Sequence, residues 1–456
     1  TPERWTGPPV HGEGDDEIAI YQCDSPLQMR LALQSAPATA SATVLVTPLD
    51  QAKVSDDILV RMAMRKLHPI NSWEILRSLF MAKSLDPRIT RYGFIADLLL
   101  EHAGIRDFPP VAGGLLDADT VWSILLAERL GLSGACPDAV EILRCTADSD
   151  FTGRWKACSA EFRDAATSWI GETVGELANV ILGCAATEHG SKSVAIGLTM
   201  GVVYQESVGH ELDKAAGRLE SYVGAANLPA ELARRWRDAA AIAVGQISKP
   251  TMRRCLDEAE AILENISASH HAWRSNELES GFEQRLSRFG QALAAHVDSR
   301  ATAVPMAVRQ LHCSIREHRL GRAGGRRMER LEMAARLARW LADQTAASHA
   351  TSLSMQAAAQ KYALDGGYVD WARQVLRGGE ANKDLAAAFV RLVDRVTELR
   401  EGENQIFARA LAEQRAMGDA AAGLIPIEQV LDQVVAKAAE KAPVLLLLID
   451  GMSWAV

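Results

Sequence analysis

From residue 117 to about residue 441 the sequence offers one economical way to bury its apolar residues. Alanine-rich stretches recur, β-branched runs are few, and the breaks fall at Gly and Pro, as at Leu228-Pro229, Lys249-Pro250 and Gly366-Gly367. Apolar residues at helical spacing between such breaks predict amphipathic helices, and many of them in series predict an extended helical bundle or irregular helical array. No signature recurs at a period of roughly 34 or 40 residues, which disfavours a regular solenoid.

The residues before this region read differently. The opening through Asp16 is rich in Pro and Gly, with Gly7-Pro8-Pro9 and Gly12-Glu13-Gly14, and predicts a loose arm over residues 1–16. A strand over 17–22, a helix opened near Asp24-Ser25-Pro26 and a strand over 43–47 then predict a small parallel α/β unit, assigned to residues 17–115. Ser55 is placed to cap a helix with Asp56 and Asp57 in its first turn and Arg65 and Lys66 in its last, before Pro69. Asn71 with Glu74 resembles a capping box, and Asp86-Pro87 supplies a cap and a first-turn proline for a helix reaching Gly104. The helical region is assigned to 116–441. With 456 residues, 48% of them hydrophobic, the chain has material for several cores, and roughly two to four domains are expected.

Residues 442–456 change character. Ala442-Pro443 ends a helix, and Val444, Leu445, Leu446, Leu447, Leu448 and Ile449 run unbroken to Asp450-Gly451. That is the pattern of a central strand in a parallel sheet, buried on both faces and in need of neighbours. The expectation is a chain cut off as a second α/β domain begins; the competing one is that the strand joins the small sheet formed near the start of the chain. Asp450 would stand at the carboxyl edge of the strand, where functional groups collect, and a carboxylate there can bind a divalent cation. One ligand does not make a site, since catalytic zinc takes about three protein ligands plus water, and an Asp-Gly pair also simply turns a chain. Ser453 has no base nearby in sequence to activate it and reads as a loop or cap serine.

Several chemistries are disfavoured. Seven cysteines, Cys23, Cys136, Cys145, Cys158, Cys184, Cys255 and Cys313, show no CxxC pair and are expected to be buried thiols. His210, His270, His271, His312 and His318 form no HExxH; Lys214 stands where the second imidazole would follow His210-Glu211. No GxxxxGK[ST] loop occurs, and Gly321, Gly324 and Gly325 follow no apolar strand. No apolar run approaches the roughly 18 residues of a membrane span and no leader pattern opens the chain, so a cytoplasmic address and no membrane partner are expected.

Net charge is −9, which argues against a surface that coats nucleic acid throughout. Within residues 300–340, however, ten arginines face three acids (Glu317, Glu329, Glu332), a local +7 that leaves −9 − 7 = −16 for the remainder. Arg319, Arg322, Arg326, Arg327 and Arg330 surround a glycine break, and guanidinium forks suit phosphate. Three readings stay open: a solvated helix face paired locally with acids such as Glu329 and Glu332, a phosphate or nucleic-acid contact, and a dock for an acidic protein face.

Several short pieces in order resemble the PglZ family of BREX type 2 (phage growth limitation) bacterial defence systems. They are Tyr21-Gln22-Cys23-Asp24-Ser25-Pro26-Leu27, Asp56-Asp57-Ile58-Leu59-Val60-Arg61, Leu67-His68-Pro69 with Trp73-Glu74, Leu85-Asp86-Pro87-Arg88, and Leu447-Leu448-Ile449-Asp450-Gly451-Met452-Ser453. The resemblance implies a mainly α chain with a small N-terminal α/β unit, ending in the first strand of an alkaline-phosphatase-like domain. It implies phosphoester hydrolysis by two divalent metals, commonly zinc, in the full-length parent, with Asp450 as a metal ligand and the nucleophile and remaining ligands on later strands. The chain by itself is then expected to be inactive and to hold no complete metal site, with other BREX defence proteins, and nucleic acid, as candidate partners. The rival expectation is a non-enzymatic helical scaffold that docks through the arginine-rich face.

Overall fold

The computed structural model describes all residues except 1–4, 6, 13–16, 38–39, 102, 104–106, 134–135, 206–211, 225–226, 347–352, 418–423 and 450–456. The chain divides into two compact units, Thr1–Ala118 and Asp119–Val456. The fold is mainly α, with a small N-terminal α/β unit.

The first unit is built on a three-stranded sheet, β1 (Val10–His11), β2 (Ile18–Gln22) and β3 (Ala42–Val46), in the order β1-β2-β3. β2 and β3 run parallel with Ile18 opposite Ala42 and Gln22 opposite Val46, and the helix Pro26–Ser35 makes the crossover. Its start is set locally: Ser25 accepts a hydrogen bond from the Gln28 amide and Pro26 presets the first turn. Met29 and Ala32 of that helix meet Cys23, Val54 and Ile58 in a small core. Within the Pro/Gly-rich opening, Val10 and His11 pair antiparallel with β2. A second, two-stranded parallel pair, β4 (Ser84–Leu85) and β5 (Leu115–Leu116), is closed by Asp86. That carboxylate caps the next helix, grips Arg88 through a 2.7 Å ion pair and accepts from the Ala118 amide at 3.2 Å.

Two helices of this unit differ from expectation. The one predicted from Ser55 to Lys66 stops at Leu59, and Met64 and Arg65 turn out of it with φ of 53° each. The Ser55 hydroxyl accepts from Arg30 at 2.8 Å, as Asp57 does, and makes no cap bond to its own helix. The helix predicted from Pro87 to Gly104 is instead two, Pro87–Thr90 and Gly93–Leu100. Asn71 caps as expected, accepting from the Trp73 and Glu74 amides. The Glu74 side chain completes no box, because it pairs with Arg77 at 2.6 Å.

The second unit holds two packed groups of helices. In the first, every residue of the helix Ser193–Val203 is buried, as a helix that is apolar all round requires. The helices Ala230–Gln246 and Lys249–Asn265 pack on it, and Trp236 donates its indole N–H to the Ser193 carbonyl at 3.0 Å. In the second group, Leu286, Phe289 and Leu293 of the helix Glu279–Ser299 meet Leu331 and Leu337 of Arg326–Ala346 and Leu385, Phe389 and Leu392 of Lys383–Met417. Gly290 marks a close crossing: a Cβ there would stand 2.7 Å from the backbone of Asp384 and Leu385, so any side chain pushes the two helices apart.

Two further expectations, for Gly366-Gly367 and for the cysteines, are corrected. Gly366-Gly367 does not break the chain; a π turn over Tyr362–Gly366 runs on into the helix Gly367–Leu376. Residues 444–449 join no strand, neither in a new sheet nor in β1-β2-β3, and their side chains are exposed, Leu445 by 92% and Leu448 by 83%. An apolar run is a strand only when neighbours supply its hydrogen bonds, and none of the described residues does so. Among the cysteines, Cys23, Cys184 and Cys255 are buried, but Cys136 and Cys313 are exposed, the latter on the outer side of the helix Met306–Glu317.

Candidate functional site

The arginine cluster sits where the helix Met306–Glu317 ends and Arg326–Ala346 begins. Between them His318 caps a single turn, Arg319–Arg322: its Nδ1 accepts from the Leu320 amide at 3.1 Å, which leaves the proton on Nε2 to be donated to the Leu278 carbonyl at 3.0 Å. Burial, with the nearby charge of Arg285, pushes the His318 pKa down to about 4. Gly321 lies so close beneath that a Cβ would collide with the Ile315 carbonyl, and Gly324 and Gly325 then turn the chain with φ of 71° and 97°.

The structure splits the five arginines. Arg327 reaches Glu283 and Glu380 at 2.6 Å each, and the Glu380 side chain is only 2% exposed. Arg330 adds a 3.7 Å contact to Glu380 and donates to the Gly379 carbonyl. Asn382 completes the cluster, its amide on Glu380 and its side chain on Glu283. Arg319 lies along the Glu277 carbonyl and 3.6 Å from its carboxylate. These three are internal braces, and their acids come from distant segments. Glu332 pairs with Arg336, a neighbouring arginine of the same run outside these five, at 2.9 Å. Arg322 and Arg326 remain exposed at the glycine turn.

The remaining candidates are not brought together. Asp450, with Ser453 and His210, lies outside the described residues. His312 stands 3.5 Å from Glu332, and the His270 and His271 rings lie 4.0 Å apart. Among the described residues no group of three or more His, Cys, Asp or Glu is arranged to hold a metal ion.

One feature of the structure had no counterpart in the sequence reading. A cavity of about 910 Å³ opens beside the π turn, lined by Tyr362, Leu399, Ile406 and Phe407 and, at its polar end, by Lys361, Asp370, Arg400 and Glu403. Arg400 is buried there between Asp370 and Glu403, and Lys361 reaches Glu403 at 2.6 Å. The signal available was Gly366-Gly367, since π turns gather at functional sites.

Residues 138–277 match the family model of the BREX system PglZ second domain. The match supports a PglZ-related protein of BREX systems. No curated protein and no solved structure matches it. The PglZ second domain opens at Asp138, which caps the helix Ala139–Thr146, and takes in the buried helix Ser193–Val203. It closes at Glu277, so the arginine cluster lies outside it while one of the cluster's acids is its last residue.

Two expectations follow. Arg327→Ala leaves the buried Glu380 short of charge and should cost about 3–5 kcal/mol, whereas Arg326→Ala should stay within about 0.5 kcal/mol of the parent; urea unfolding midpoints of the two variants measure the difference. For His318 the folded pKa is lowered, so its contribution is fully present above the unfolded value of about 6.5 and is lost as pH falls towards 4, a loss of about 3 kcal/mol. Thermal unfolding between pH 7 and pH 4.5 should show that slope in the parent and a flatter one in His318→Gln.

Proposed function

We propose that this chain is the recognition portion of a bacterial anti-phage defence protein that hydrolyses phosphoesters with divalent metal ions. Its second unit receives other components of the defence system or the substrate, and hydrolysis belongs to an α/β domain of which residues 444–449 are one strand. The observation that carries the reading is the apolar run itself: six consecutive large apolar side chains stand 43–92% exposed, a surface that a sheet with helices on both faces would cover. The match to a PglZ second domain supports the defence setting.

The metal, zinc by resemblance, does not fit the described residues, because no group of three or more ligand-type side chains is assembled among them and a two-metal site needs a full ligand set. No hydrolytic step is therefore assigned to them; Asp450 is proposed as one ligand of a site completed elsewhere. Among the described residues no helix is long and apolar enough to cross a membrane.

The test is hydrolysis of phosphomonoesters and phosphodiesters with zinc or manganese, comparing this chain with a version extended along its reading frame. Activity is expected only in the extended protein, with a fall of at least about 100-fold in its Asp450→Ala variant. Equal activity in the short chain, or an extended protein indifferent to Asp450→Ala, overturns the proposal.

A second reading, a scaffold that docks nucleic acid through the basic face, is favoured by the exposure of Arg322 and Arg326 at the Gly324-Gly325 turn. Reversing these two to Glu, while sparing the brace Arg330, should weaken nucleic-acid binding and reduce its salt slope by about 2; an unchanged slope removes this reading.

A further inference from the structure

At the end of the second domain, the 3₁₀ helix Ser269–Arg274 leaves three donor nitrogens on two consecutive residues shielded from solvent and without an acceptor among the described residues: Trp273 Nε1, Arg274 Nε and Arg274 Nη1. Buried donors are nearly always paired, and an unpaired guanidinium is among the most costly exceptions. Arg288, from the helix Glu279–Ser299, places its guanidinium 4.0 Å from the Trp273 ring centroid, and that of Arg274 lies 5.2 Å from the same ring. No carboxylate pairs with either arginine among the described residues, and burial together with the charge of Arg274 lowers the Arg288 pKa.

The backbone that carries Trp273 and Arg274 is tied to its neighbours. Gln284 accepts from the Trp273 amide at 3.1 Å and donates to the Ser269 carbonyl at 2.8 Å. Arg285 donates to the Trp273 carbonyl at 2.7 Å, and Gln205 to the Arg274 carbonyl at 3.0 Å. The backbone beneath these donors is therefore fixed, which leaves only side chains to be ordered on binding.

We propose that Trp273, Arg274 and Arg288 form a binding site for a phosphate monoester. A neutral acceptor would satisfy the hydrogens and leave two like charges beside the same ring. A carboxylate brings one charge and two oxygens. A phosphate monoester brings close to two charges at neutral pH and three terminal oxygens, which suits two guanidiniums and an indole N–H. The Trp273 face covered by Arg288 is not free to stack on a base, so recognition is of the phosphate, either free or at the end of a nucleic acid. The inference stands apart from the metal chemistry proposed above, which it neither needs nor tests.

The full chain is titrated with inorganic phosphate and with single-stranded oligonucleotides carrying a 5′-phosphate or a 5′-hydroxyl, by thermal shift and fluorescence anisotropy. Inorganic phosphate should raise the melting temperature, and phosphate affinity should fall at least about tenfold in Arg274→Gln and in Arg288→Gln. Preference for the 5′-phosphorylated strand assigns the site to nucleic-acid ends; response to inorganic phosphate alone assigns it to a free phosphate. Should Arg274→Gln fail to fold, the exposed Arg288 decides alone. The proposal is overturned if the parent ignores both inorganic phosphate and the 5′-phosphate, or if both variants bind as the parent does. It is equally overturned if a glutamate-rich peptide binds with the same dependence on these arginines while phosphate does not.

Discussion

The buried carboxylate of Glu380 is the point on which the second half of the helical unit turns. A carboxylate that is 2% exposed cannot remain charged without partners, and it draws Arg327 and Arg330 inward from one helix and the Asn382 amide from the start of another. Arg327 passes the constraint on to Glu283, and Asn382 returns to Glu283 from the other side. Three segments are thereby fixed in register around one charge, and the apolar faces that meet behind it, Phe289, Leu331 and Leu385 among them, can pack at the distance the Gly290 crossing demands.

The join between this group and the PglZ second domain is made in the same currency of buried guanidinium and backbone carbonyl. Arg285, 5% exposed, donates to Trp273 O, to the Ser314 carbonyl and to Asn276, and Arg319 lies along the Glu277 carbonyl. Loop carbonyls at the end of the domain, which would otherwise need water, are satisfied by side chains from the helices that follow. The neutral His318, with both ring nitrogens committed, tolerates these positive neighbours only because it carries no charge itself.

What could be read from the sequence was what is decided locally. Ser25, Asn71 and Asp86 cap the helices next to them, and the bonds involved reach two or three residues. Ser55 looked equivalent, but its hydroxyl was claimed by Arg30, 25 residues away, and the helix it should have started is short. The arginine run was legible as composition, and its division into braces and exposed charges was not, because Glu283 and Glu380 lie 44 and 53 residues from Arg327. The run at 444–449 shows the same limit: unbroken apolar character and length specify that a segment could be a strand, while its partners are specified by other segments.

Charge balance separates two places in the helical unit that could take a small ligand. At the cavity beside the π turn, Arg400 and Lys361 are met by Asp370 and Glu403, so the polar end is internally neutralised and the rest of the wall is largely apolar. Nothing there calls for a charged guest. At Trp273 the two guanidiniums of Arg274 and Arg288 meet no carboxylate among the described residues, while Gln284 and Gln205 tie down the backbone beneath them. Around Glu380 and Arg400 each guanidinium meets a carboxylate, and among the described residues Arg274 and Arg288 do not, so a cationic pair at the end of a domain is what a bound anion would stabilise.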